Sequence, residues 1–328
     1  MNYMKITYKY NFYCKILIFL LFLFNLSSCS SNSKKFNPSQ YEYIVKDDIF
    51  REKIIDSVLG NFIKLKQGYT YYELANPEME EPAIVLIHGF SVPSYIWDPT
   101  FQKAKDLGYK VLRFDLYGRG YSENPDTDYT DELFARQGLE LLDSLSIDKS
   151  ILIGLSNGGR VISKMANIDP DRVDKMIYVS SNGFNDVVEL NDKTVSETEI
   201  SNYIKNYKFL SQSQKNDFKN PEQFKDWGIR YSELQKYKGF AKALISTRKN
   251  HISLDYIHLE ITKRGIEVYT LWGEYDKVVV FEDFERKLNE ILPDREDFFF
   301  ENAGHLPQME SPKEFNAILF ENILDFTD

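Results

Sequence analysis

The residues best placed to do chemistry are Gly154-Leu155-Ser156-Asn157-Gly158-Gly159, directly after the apolar run Ser150–Leu155 and before a helical stretch. A serine hydroxyl is a weak nucleophile. It needs exposure, a base, and donors for the charge that develops on the substrate oxygen. A strand-to-helix elbow supplies exposure, because its tight turn strains the backbone of Ser156 and leaves room only for small side chains two residues to either side, where Gly154 and Gly158 stand. The donors are expected from two places. His88-Gly89-Phe90-Ser91 closes the run Ala83–His88, so a loop there can aim the Phe90 amide at the oxygen, with the Asn157 amide at the head of the next helix as the second donor. The base is expected on a late loop. Of four histidines, His88 precedes rather than faces the site and His251 and His258 fall in or beside an aromatic-rich insertion, which leaves His305 in Asn302-Ala303-Gly304-His305-Leu306. Asp276, in Trp272-Gly273-Glu274-Tyr275-Asp276, is the natural carboxylate to orient His305 and stabilise its imidazolium, and Glu274 is its nearby rival.

Positioning these groups requires strands that end close together. Short apolar runs at Phe62–Lys66, Tyr69–Leu74, Ala83–His88, Tyr109–Leu116, Ser150–Leu155, Lys175–Ser180, Glu267–Trp272 and Asp297–Glu301 read as strands. Helical stretches at Ile96–Leu107, Thr130–Leu145, Gly158–Ala166, Phe281–Leu292 and Pro312–Phe326 alternate with them. This pattern predicts an α/β protein with a mainly parallel sheet covered on both faces. Residues 185–264 break the alternation: they lack a convincing strand and carry aromatics such as Tyr203, Tyr207, Phe224, Trp227 and Tyr231 at helical spacing. The expected organisation is a core of 42–184 and 265–328 with a helical lid at 185–264.

Together these motifs resemble the α/β-hydrolase fold superfamily, whose chain order of nucleophile, acid and histidine matches Ser156, Asp276, His305. The likeness runs from Phe62 to Phe326 apart from the lid and includes the Asp115-Leu116-Tyr117-Gly118-Arg119-Gly120-Tyr121-Ser122 turn, which the resemblance assigns to holding the oxyanion region. It implies an eight-stranded sheet, an acyl-enzyme route and no cofactor or metal. Some related enzymes place the acid after the sixth strand, which keeps Asp186 open as a further candidate. Haloalkane dehalogenases and epoxide hydrolases of this fold carry aspartate at the elbow, and Ser156 argues against both. The meta-cleavage C–C hydrolases keep serine but usually have tryptophan after the histidine and a glycine-rich H-G-x-G-P-G loop, where this chain has Leu306 and Phe90-Ser91-Val92-Pro93.

The 328 residues are 43% hydrophobic and 15% aromatic, enough for a large core. The first residues form a separate unit: three lysines without an acid, the apolar stretch Ile16–Leu26, then Ser27-Ser28-Cys29. That stretch is shorter than the roughly 20 residues a membrane span needs, and the pattern is that of a signal peptide. Its ending resembles the lipobox of bacterial lipoproteins, which implies residues 1–28 are cleaved, Cys29 is lipidated and residues 29–41 tether the body to a membrane. Ser30 after the cysteine resembles an outer-membrane sorting signal. With Cys14 discarded, no thiol remains for a disulfide, metal site or nucleophile. The net charge of −10 becomes −13 when Lys5, Lys9 and Lys15 are removed, which disfavours binding nucleic acid.

The expected function is therefore a lipid-anchored serine hydrolase cleaving carboxylic esters of hydrophobic small molecules or lipids. A C–C hydrolase of meta-cleavage type and a non-catalytic binding protein on the same fold are the alternatives.

Overall fold

The computed structural model describes residues 43–325; the expected signal peptide, Cys29 and the whole tether lie outside them. The sheet is organised by strands too apolar to face water. β3 (Ala83–Ile87) and β5 (Ser150–Leu155) are buried at every position, as expected of strands covered on both faces. Around them run β1 (Asn61–Leu65), β2 (Gly68–Ala75), β4 (Val111–Phe114), β6 (Val173–Val179), β7 (Glu267–Gly273) and β8 (Glu296–Phe300), in the spatial order β1-β2-β4-β3-β5-β6-β7-β8. β2 is antiparallel to β1 and β4, and β3 to β8 are mutually parallel. The expected eight-stranded α/β architecture is therefore observed, each strand within a few residues of its predicted bounds.

Alternate side chains of each strand feed two apolar layers. Val85, Ile87, Leu112 and Leu152 pack with Phe134 and Leu141 of α3 (Asp131–Ser144), Val161 and Met165 of α4 (Asn157–Ile168) and Leu288 of α10 (Glu285–Ile291). Ile84, Leu86, Ile151 and Ile153 pack with Phe101 and Ala104 of α2 (Asp98–Asp106) and with Phe315 of α12 (Pro312–Ala317). The expected C-terminal helix, Pro312–Phe326, is observed as α12 running directly into a π-turn (Ile318–Ile323), with a short α11 (Pro307–Glu310) ahead of it. Pro312 separates α11 from α12, because its ring disfavours helical angles at the preceding residue; Ser311 sits at φ −124°, ψ 53°.

Between β6 and β7 the chain is helical, with α5 (Glu197–Lys205), α6 (Tyr207–Ser213), α7 (Trp227–Leu234), α8 (Phe240–Lys249) and α9 (Asp255–Lys263). Ser196 and Glu199 close a capping box at the head of α5. Ile204, Tyr207, Trp227, Tyr231 and Phe240 turn their apolar surface into the second layer of the core, so this insertion is packed onto the body. The segment before α1 (Asp48–Ile54) is stitched to the same cap. The Ile44 amide donates to the Lys236 carbonyl at 2.8 Å, the Lys238 amide donates back to Ile44 at 2.9 Å, and the buried Lys46 ammonium donates to the Gly120 carbonyl at 3.2 Å. Among the described residues no helix is long and apolar enough to cross a membrane.

Candidate active site

The carboxyl ends of β3, β5, β7 and β8 lead into the loops that carry the candidate residues, the edge where open α/β sheets bind ligands. Ser156 is the single residue between β5 and α4, at φ 50° and ψ −115°. That conformation is costly for a residue with a Cβ. It persists because its surroundings leave no alternative: the Ser156 amide donates to the Val179 carbonyl at 2.8 Å and the Gly159 amide donates to the Ser156 carbonyl at 3.0 Å. A methyl group on Gly154 would stand 2.5 Å from the Gly158 carbonyl oxygen, and one on Gly158 would stand 2.4 Å from that of Ile87. Both glycines are therefore required for the helix to cross this close to two strands.

The loop after β3 is held from below by groups that do not themselves face the cavity. His88 is fully buried, its Nδ1–H donating to the Gly89 carbonyl and its Nε2 accepting the Leu116 amide, both at 2.9 Å. Burial lowers its pKa to about 3, so it stays neutral. Asp115 accepts the Ser94 amide and hydroxyl and the Tyr121 amide at 2.6–2.9 Å. Arg119, wholly buried, donates to the Phe90 carbonyl at 2.9 Å, to that of Tyr117 at 3.1 Å and to the Thr247 hydroxyl at 2.8 Å. With its carbonyl so fixed, Phe90 carries an amide that meets no acceptor among the described residues, and the same holds for the Asn157 amide. Gly89 lies against the nucleophile, its missing Cβ 3.4 Å from Cβ of Ser156.

His305 follows β8 and Asp276 follows β7, and the structure brings them together: Nδ1 of His305 donates to Oδ2 of Asp276 at 2.7 Å. The other carboxylate oxygen accepts the amides of Val278 and Val279 at 2.7 and 2.9 Å, fixing the orientation of Asp276. This leaves Nε2 of His305 as an acceptor. Burial pushes the imidazole pKa down, but the charge and hydrogen bond of Asp276, helped by Asp217, push it up, and the sum lies above the ordinary 6.5. Glu274 is exposed and Asp186 is an exposed partner of Lys287, at 2.8 Å, so neither touches His305.

Ser156 and His305 line one cavity of about 160 Å³ with Phe90, Val92, Ile96, Leu155, Val278 and Leu306. Two further lining residues, Gln214 and Asp217, come from the cap and were not anticipated; nothing in their local sequence marks them. Of the remaining histidines, His251 donates from Nε2–H to the side-chain oxygen of Asn157 at 2.9 Å, and His258 pairs with the hydroxyl of Ser163 at 3.0 Å. Among the described residues no cluster of His, Cys, Asp and Glu could hold a metal ion.

Comparison with known proteins agrees with this fold. Residues 82–312 match the family described as alpha/beta hydrolase fold. An uncharacterized hydrolase, YugF of Bacillus subtilis, is 24% identical over 269 residues, covering 78% of this chain and 93% of that protein. An uncharacterized protein of Mycobacterium tuberculosis is 26% identical over 266 residues, covering 75% of this chain and 76% of its own. Among solved structures, an esterase from Exiguobacterium antarcticum superposes with a TM-score of 0.65 at 20% identity, covering 80% of this chain and 99% of that one. A meta-cleavage product hydrolase from Pseudomonas fluorescens gives 0.66 at 21% identity, covering 81% and 98%. The chain belongs to the alpha/beta hydrolase fold family.

Proposed function

We propose that the protein is a serine hydrolase that cleaves carboxylic esters of hydrophobic small molecules through an acyl-enzyme intermediate. The observation that carries this is one cavity lined both by a strained, glycine-flanked serine and by a histidine bonded to a buried carboxylate. Ser156 attacks the ester carbonyl while His305 takes its proton at Nε2 and returns it to the leaving alcohol; water then repeats the cycle on the acyl-enzyme. Asp276 holds the imidazole in the right tautomer, and the Phe90 and Asn157 amides receive the oxyanion. The lining of Val92, Ile96, Leu155, Val278 and Leu306 suits an apolar acyl or alcohol group. Leu306 and the Phe90-Ser91-Val92-Pro93 loop favour esters over C–C substrates. The same proposal takes Cys29 as the lipidated anchor; palmitate labelling present in the native chain and absent from Cys29→Ser tests it.

Hydrolysis of p-nitrophenyl esters from acetate to long chain tests the chemistry. Ser156→Ala is expected to lose at least about 10³-fold in kcat, and Asp276→Asn about 10⁴-fold, because the amide stabilises the wrong tautomer. Because the base must be neutral, kcat/KM is expected to rise with pH through a midpoint above 6.5, the direction of the His305 shift. Undiminished turnover in Ser156→Ala would end the proposal.

A further inference from the structure

Asp217 sits in the cap yet lines the same cavity as Ser156 and His305. Its placement is rigid. The His305 amide donates to the Asp217 carbonyl at 2.7 Å, and Glu310 of α11 clasps both sides of the contact, accepting the amides of Lys219, Asn220 and Gly304 at 3.1, 2.9 and 2.5 Å. The fit is close enough to dictate a residue: a Cβ on Gly304 would stand 2.7 Å from the Asp217 carbonyl oxygen and 2.8 Å from the Lys219 amide. The carboxylate itself is treated differently from its backbone. No amide or side chain among the described residues donates to it, and Asp217 is half-buried, so its oxygens remain open to a ligand in the cavity.

The charged and titratable groups around it come from every neighbouring element. His305 follows β8 and Asp276 follows β7; Tyr231 belongs to α7. Glu310 is spent on backbone amides, and the Lys219 ammonium is turned away to the Glu301 carbonyl and the face of Tyr275. The cavity thus carries, beside an apolar wall, one carboxylate with unused acceptor capacity.

We propose that Asp217 is a specificity-determining residue, the acceptor for a protonated amine carried by the ester substrate on its acyl or alcohol side. This rests on the ester-hydrolase assignment and narrows it: among apolar esters of a size the cavity admits, those bearing an ammonium are preferred. A charge-assisted hydrogen bond to a half-buried carboxylate discriminates against an isosteric hydrocarbon by about tenfold. Burial raises the Asp217 pKa to about 6, with His305 pulling it down and Asp276 pushing it up, so the preference is full above that pH and fades below it.

The test uses two isosteric pairs, in which a dimethylammonium replaces an isopropyl group: 2-(dimethylamino)ethyl butyrate against 3-methylbutyl butyrate, and methyl 5-(dimethylamino)pentanoate against methyl 6-methylheptanoate. The readout is the ratio of kcat/KM within each pair, for the wild-type chain and for Asp217→Asn, at pH 7.5 and at pH 5. The expected result is a ratio of about ten or more for at least one pair at pH 7.5, falling toward one at pH 5 and in the variant. If Asp217→Asn slows both members equally and the ratio persists, Asp217 acts only through His305 and the proposal fails. A wild-type ratio of one for both pairs overturns it without recourse to the variant. Wild-type hydrolysis of neither member would overturn the ester assignment itself, a separate failure.

Discussion

Ser156 holds a backbone conformation that its side chain makes expensive, φ 50° with ψ −115°, and such residues store about 1–3 kcal/mol. The strain belongs to function, since only this turn lifts the hydroxyl clear of the sheet edge. Removing the hydroxyl two ways separates strain from chemistry. Ser156→Ala keeps the Cβ and the strain; Ser156→Gly removes both, at the expense of about 0.5–1 kcal/mol of unfolded-chain entropy. Both variants are expected to be inactive, with the glycine form more stable than the alanine form by about 1 kcal/mol in urea denaturation. An alanine variant equal to or more stable than the glycine one would mean the turn is relaxed. The placement of Ser156, His305 and Asp276, the proposed nucleophile, base and acid, was legible because each follows a strand within a short motif whose glycines the fold demands: Gly154 and Gly158 at the elbow, Gly273 before Asp276, Gly304 before His305. Asp217 was illegible for the opposite reason. It lies in an irregular cap turn, and only the tertiary contact with Gly304 and Glu310 brings it over the site.

At the scale of elements, the site depends on a guanidinium that never touches it. Arg119 lies in the turn after β4, yet it ties the Phe90 carbonyl of the oxyanion loop and the Thr247 hydroxyl of α8 to that turn. Phe134 lies under it, with Arg119 5.0 Å from the ring centroid. Among the described residues it has no carboxylate partner, and burial, eased by three tyrosines, lowers its pKa to about 10, still charged at neutral pH. Its contribution is therefore geometric: three acceptors from three segments converge on one rigid fork. Arg119→Gln is expected to cut kcat by about 10- to 100-fold, since small displacements of a positioning group cost that much, with a smaller change in KM. Arg119→Lys is not expected to restore it, because a single ammonium on a flexible stem does not span the three acceptors. Full activity in the lysine variant would show that charge, not the fork, matters here. The resemblance had assigned this turn a holding role; the bond to the cap was beyond its reach, because nothing in the Arg119 motif points to Thr247. Strand positions were read closely from apolar runs and the C-terminal helix was placed from Pro312 onward, but the switch to π-type bonding at Ile318 was not legible, because its helical angles continue those of α12.

Across the whole molecule, burial of imidazoles makes stability depend on pH. His88, His251 and His258 each have pKa values lowered from 6.5 to about 3, first by burial and then, for each, by neighbouring arginines or a lysine. Unfolded, they take up a proton near 6.5; folded, they refuse it until about 3. The unfolded state therefore binds more protons throughout that window, so their stabilisation is complete above pH 6.5 and is lost as pH falls toward 3. At pH 5 the loss is about 2 kcal/mol for each histidine, from about 1.4 kcal/mol per pH unit. Asp115, Asp217 and His305, each with a raised value, act in the opposite sense. Asp217, raised to about 6, costs stability above the unfolded carboxylate value of 3.8 and returns about 1 kcal/mol between pH 7 and 5. His305, raised above 6.5, favours folding below 6.5, and that contribution disappears as pH rises through its folded value. The three histidines are expected to outweigh them. The urea midpoint is expected to drop clearly between pH 7 and pH 5, by an amount equivalent to a few kcal/mol. His258, wedged between Tyr178 and Phe184 with Nδ1 unpartnered, is remote from the cavity lining, so replacing it isolates the effect. His258→Gln is expected to be less stable at pH 7 for loss of ring packing, yet to lose less on acidification, narrowing its gap to wild type at pH 5 by about 2 kcal/mol. A midpoint that stays level or rises in wild type, or an equal slope in the variant, would show that these imidazoles are protonated inside the fold.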